Sequence, residues 1–448
     1  MVLSVKQSVL LCTAVLLWGA ATQAVAQEAE DDLRLDTDIP EEQVAPPPPP
    51  PDFAKIQFED EEPVRRRKRP DVDPYAPPGL RVGSFKMFPT LEIGADLTTN
   101  VNRSATKPKH DAILSLKPTL RFESDWSRHG LSATFSADAV KFMNSDDVDT
   151  LSGSAAIASR VDIRRTTRAD FETGYSINSV ELGDSELPAS AVGTRRDTTV
   201  SSNSSITHDF GGLEGRLRLG LTRNIYGDVD LVGGGTEDNS DRNYLQTDIS
   251  ARLALRTGAA ISPFAEVAYA PRFHDKKTDR NGLKRNSQGL RLTAGASIAD
   301  DPIWQGDIAA TLEMRDYSDD SLGHVVLPGI AANLTWRPTD LTRFEFNTGA
   351  SLAETVSANT SSSKRWTVGL TASHALRDNV ELVAGLKGDI EHGADTTDLT
   401  TTASLGVNWT LNPYVVLNAG YEGTFFNTEG SNGDYTDHRL LTSIILRH

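Results

Sequence analysis

The stretch Leu245–Leu255, LQTDISARLAL, alternates without a break. Leu245, Thr247, Ile249, Ala251, Leu253 and Leu255 fall on one side, while Gln246, Asp248, Ser250, Arg252, Ala254 and then Arg256 fall on the other. A helix would scatter these residues around its circumference, whereas a strand sorts them into an apolar face and a charged face. The chain turns at Thr257-Gly258 and a second alternating run starts at Ile261, so the two read as a hairpin.

The two-faced pattern recurs at Leu114–Phe122, Leu213–Leu221, Leu290–Ile298, Phe344–Leu352 and Val380–Ile390. Strands of soluble sandwiches average about 5–6 residues. These runs are about twice as long and match the roughly 9–11 residues that a tilted strand needs to cross a bilayer. In a membrane barrel the apolar face meets lipid and the charged face lines a wet interior. The residues expected to line the lumen are Arg216, Arg218, Asp248, Arg252, Arg256, Arg291, Arg343, Glu345 and Asp389. On this register an arginine at Leu253 is costly, while Arg252→Leu is tolerated.

Turn chemistry divides the rest of the chain. Short turns are expected at Ser127–Gly130, Arg165–Thr167, Phe210–Gly212, Thr257-Gly258, Asp300–Pro302, Arg337–Asp340, Arg377–Asn379 and Leu411–Pro413, where Gly, Pro, Asn and Asp supply positive or fixed φ. Each interval holds two long runs joined by a polar segment, such as Gly183–Thr194, Gly227–Asp241 or Asn427–Asp434. Short turns at one end and longer loops at the other give an all-β, antiparallel up-and-down transmembrane barrel of about 18 strands, within a range of roughly 16–20. Trp126, Trp304, Trp336 and Trp409 all fall beside expected short turns, as an aromatic girdle requires. A β-propeller would show a similar period but needs four short strands in each repeat, where this chain has two long ones.

The N-terminal part is different. Met1–Ala26 reads as a secretory signal, with Lys6, an apolar core from Val9 to Trp18, and the small-residue site Ala24-Val25-Ala26. Cys12, the single cysteine, lies within it, so no disulfide is expected beyond it. Residues 27–80 are acidic, proline-rich and poor in aromatics, with an unbroken run Pro46–Pro51 and a basic cluster Arg65–Arg69. Such a composition buries too little apolar surface to offset ordering entropy, so a disordered periplasmic segment is expected before a barrel at 81–448. That segment reads as a tether. A docking segment for lipid headgroups, cell-wall polymer or a partner groove is the other reading.

Two stretches carry a resemblance. Gly79–Phe85, leading through Pro89 and Gly94 to Asn100-Val101, and Ser124–His129 resemble the β-barrel porin type 2 family of bacterial outer-membrane proteins. The resemblance then runs diffusely to His448. It implies a Gram-negative outer-membrane barrel that meets lipid and the barrel-assembly machinery, and some relatives look like parts of exopolysaccharide export systems. It brings no catalytic residues. The last strand departs from the usual aromatic terminus, ending LLTSIILRH at His448.

Other chemistry is hard to find. Nine histidines show no metal-ligand spacing, and no G-x-S-x-G, H-E-x-x-H or phosphate-binding glycine loop occurs. Asp228-Val-Asp230 starts like a calcium loop, but Val232 stands at the third ligand position. A net charge of −17 argues against nucleic acid as a partner. No enzyme, cofactor or metal is therefore expected. The expectation is a passive, porin-like channel for hydrated polar solutes, with an export barrel for polysaccharide and a plugged structural or adhesive barrel as alternatives.

Overall fold

A computed structural model describes residues 73–145, 148–180, 187–188, 190–256, 258, 260–299, 301–353, 362–393, 396–429 and 433–448. The signal, the proline run and the basic cluster lie outside these residues. In chain order the long strands are β1 Phe85–Thr98, β2 Asp111–Ser124, β3 Gly130–Phe142, β4 Thr150–Arg164, β5 Thr167–Val180 and β6 Arg195–Asp209. Then come β7 Leu213–Ile225, β8 Tyr244–Leu255, β9 Ile261–Tyr269 with its continuation Arg272–His274, β10 Ser287–Ile298, β11 Trp304–Tyr317 and β12 His324–Thr339. The series ends with β13 Thr342–Ala353, β14 Ser363–Arg377, β15 Val380–His392, β16 Thr397–Asn412, β17 Val415–Thr428 and β18 Tyr435–Arg447.

Every strand pairs antiparallel with its sequence neighbours, and β1 pairs with β18 from Thr90↔Arg447 to Thr98↔Arg439. The sheet therefore closes into a barrel of 18 strands. The strand ends fall at the expected short turns, with the turns expected at Arg337–Asp340 and Leu411–Pro413 shifted toward their C-terminal ends because the strands run on through Thr339 and Asn412; Thr257 and Asp300 lie outside the described residues. Closure leaves no free edge, which is the physical reason that so long a sheet can be stable alone.

Polar groups fasten the seam between first and last strands. The Asp437 carboxylate accepts hydrogen bonds from Thr98 Oγ1 at 2.7 Å and from the amides of Thr99 and Asn100 at 3.1 and 2.9 Å. At the turn end Arg447 donates to the Tyr75 carbonyl at 2.7 Å and to that of Pro413 at 3.2 Å. Tyr75, which composition assigns to the tail, is thus already tied to the last strand. Leu80–Val82 then folds back on Phe85–Met87. His448 takes the terminal ring position, 5.4 Å from the Tyr414 ring centroid.

The two faces of the sheet match the alternation in the sequence. On β8, Ile249, Leu253 and Leu255 are exposed on the outside, while Ser250, Arg252 and Ala254 are buried on the inside. The same inversion of a soluble core holds around the ring: Leu114, Leu116, Leu217, Leu370, Leu405 and Ile444 are all exposed. Trp126, Trp304, Trp336 and Trp409 stand exposed at the turn end, with Trp304 stacked on Trp336 at 5.4 Å and Trp336 on Phe344 at 5.0 Å.

Candidate functional site

Residues directly opposite in an antiparallel ladder share a face. Arg252 is opposite Arg216 on β7 and Glu266 on β9, and Ser250 is opposite Arg218. Through Ala268 this face passes to Arg291, and from there to Glu313. Further round, Asp307 leads through Asn333 to Asn347, which lies on the same side of β13 as Arg343 and Glu345. Thr367 then carries the face to Asp389. All nine expected residues therefore share the inner face, as strand parity alone could show. Their surroundings differ sharply.

From β6 to β12 the inner face is dense. Arg252 lies 3.7 Å over the Phe264 ring, donates to Ser297 Oγ at 2.8 Å and pairs with Asp307 at 3.6 Å. Arg216 and Arg256 share the buried Glu214 at 3.5 and 3.3 Å. Arg218 donates to Asn203 Oδ1 at 2.6 Å, and Arg291 to Glu313 Oε2 at 3.2 Å. Asp248 lies half-buried beside Gly220. Arg315, Asp307 and Glu313 complete this wall; all three lie on WQGDIAATLEMRDY, where the alternation is broken by small residues and gives little sequence signal. The expectation that Arg252 can become leucine overlooks this packing: the side chain is part of a buried pair, not a solvated wall group.

A tight bend makes such packing possible. Arg252 on β8 reaches groups on β10 and β11, which a gently curved sheet would hold too far apart. At Gly295 a Cβ would stand 2.2 Å from the Ile308 carbonyl oxygen, so only glycine lets β10 and β11 close this far.

From β13 through β18 to β3 the inner-face ion pairs are more exposed, apart from the seam, where Asp437 is buried. Arg343 pairs with Glu345, Arg365 with Glu391, and Lys387 with Asp389 at 3.0 Å, while Lys117 reaches Asp138 at 3.4 Å. Lys387 and Lys117 sit on the charged side of runs that alternate plainly, so parity would have found them.

This geometry, a closed barrel with a polar inside and an apolar outside, agrees with the family evidence. The family model described as "Putative beta-barrel porin 2" matches residues 73–448. The chain belongs to this porin family. It is an outer-membrane β-barrel protein. Solved structures similar to it include a mutant of the ferric enterobactin receptor PfeA from Pseudomonas aeruginosa, at 10% identity and TM-score 0.39, covering 81% of this chain and 80% of that one. The siderophore receptor PirA from the same organism has 11% identity and TM-score 0.37, with coverage of 81% and 80%. The outer membrane transporter YddB from Escherichia coli has 11% identity and TM-score 0.36, covering 78% of this chain and 60% of that one. At such scores these likenesses carry no argument about this chain. No curated protein matches the sequence.

Above the packed half of this porin-family barrel, three loops are joined. Ala191-Val192, Val229–Leu231 and Thr236-Glu237 form a small antiparallel sheet that ties residues 190–194 to loop 226–243. From loop 275–286, Arg280 grips loop 226–243. It donates to both Asp241 carboxylate oxygens at 2.8 and 2.9 Å and to Asn239 Oδ1 at 2.9 Å, and it also pairs with Glu237. Sequence gives no sign of this clasp, because its partners lie some 40 residues apart in loops without periodicity.

The clasp has a definite pH dependence. Burial alone raises the Asp241 carboxyl, but hydrogen bonds and charge from Arg280 outweigh it and hold the group below the usual carboxylate range. A lowered folded pKa gives stability that is fully present above the ordinary value of about 3.9 and is lost as pH falls through the lowered value. Loop 226–243 is thus expected to stay closed at neutral pH and to open only in acid below about pH 4. Arg280→Ala should open it at neutral pH by removing about 2 kcal/mol of local stability, read as faster hydrogen exchange of Asn239 and Asp241 amides. Unchanged exchange in that variant would show that the clasp does not hold the loop.

Proposed function

We propose that this protein is a porin-like channel for hydrated polar and charged solutes, with its short turns and N-terminal segment on the periplasmic side of the outer membrane. A barrel of about 16–18 strands encloses more space than its own side chains fill. The observation that carries the reading is the open inner wall, where charged side chains such as Lys387 and Arg343 remain exposed inside a closed ring of strands. Paired charges of both signs suit hydrated ions and polar solutes.

Purified protein in planar bilayers is expected to give stepwise, ohmic conductance that scales with salt. Protein that inserts but never conducts would defeat the reading and leave a plugged barrel whose loops carry the function.

A further inference from the structure

We infer that the water path through the barrel is eccentric: it follows the inner wall of β13–β18 and β1–β3, and the Lys387–Asp389 pair on β15 sets its ion selectivity. This rests on the channel reading. The evidence is a division in the exposure of inner-face charges. On the packed half, Glu214, Arg216, Arg252, Asp307, Glu313 and Arg315 have side chains only 1–10% exposed. On the other half, the cations Arg343, Arg365, Lys387, Lys117 and Arg121 are 40–64% exposed, with Lys387 the most exposed, while Arg439 beside the β1–β18 seam, paired with the buried Asp437, is 28% exposed. Arg256 and Arg291, at 27% and 18%, are more exposed than Arg216, Arg252 and Arg315 but remain paired with the buried Glu214 and Glu313.

All these groups share one face of one closed sheet, so parity does not explain the difference. Curvature does. Around β8–β11 the wall bends so tightly that arginines bridge across strands to carboxylates, and Ala254, Phe264 and Ala309 form an apolar cluster on the inside. Ions passing that wall would meet neutralised, water-excluded pairs. Along β13–β3 the charges stay hydrated and act on a passing ion over a Debye length of about 8–10 Å. Lys387 combines the highest exposure with a place near the middle of its strand, and Asp389 lies beside it on the same face.

Two measurements on the full chain test this. In bilayers under a salt gradient, Lys387→Glu should raise the cation-to-anion permeability ratio about two-fold or more, and Asp389→Asn should lower it. Arg291→Gln, within the packed wall, should leave it nearly unchanged. Separately, single cysteines in a Cys12→Ser background report water access without any need for conductance. Lys387→Cys should react quickly with a sulfonate thiol reagent, and Ser297→Cys, buried under Arg252, should not. Conductance that is indifferent to Lys387, or equal labelling at both cysteines, would overturn the inference. Absence of conductance with the labelling contrast intact would defeat the channel reading and leave the eccentric water path standing.

Discussion

Ile249→Arg is expected to destabilise the barrel by about 2–4 kcal/mol, the cost of an arginine on the lipid face near the bilayer midplane. Ile249 is exposed on the outside at the middle of β8, opposite Leu219 and Tyr269, which are exposed as well. No charged residue stands directly opposite to pair with the guanidinium. The cost should decline toward the turn, through Leu253→Arg to Leu255→Arg, which should lose no more than about 1 kcal/mol because the side chain can reach the headgroups. Unfolding in lipid vesicles by denaturant reads the series. A flat series, or one that rises toward Leu255, would mean that the apolar band does not lie across the middle of this strand.

Arg252→Leu should be nearly as damaging, at about 3 kcal/mol, although it makes the chain more apolar. Removing one partner of a buried pair takes a countercharge from the other in a poorly solvated place. Asp307 is only 5% exposed and cannot recover that loss from water. The variant also removes the guanidinium from the Phe264 ring and the hydrogen bond to Ser297. The double variant Arg252→Leu with Asp307→Asn should recover part of the loss, because the buried carboxylate charge is gone. Full stability of Arg252→Leu alone would show that this wall is hydrated and that its ion pairs do not hold it together.

The two predictions concern residues three positions apart, yet sequence prepares for only one of them. Alternation along Leu245–Leu255 places Ile249 outside and Arg252 inside, because the side-chain period of a strand is two and needs no knowledge of the neighbours. It cannot say what Arg252 meets inside. Ser297 and Asp307 lie 45 and more residues further along and reach Arg252 only through the bend at β8–β11.

The same division runs through the molecule. The sequence by itself determined the strand faces, the eight short turns and the strand number, since each depends on local chemistry: period, φ at Gly, Pro and Asn, and the length needed to cross a bilayer. It also determined which charges share the inner face. Only the tertiary structure decided which of those charges are buried in the wall and which stay in water, and which loops are clasped together by Arg280. Those outcomes depend on sheet curvature and on contacts between distant segments, and no local pattern encodes either.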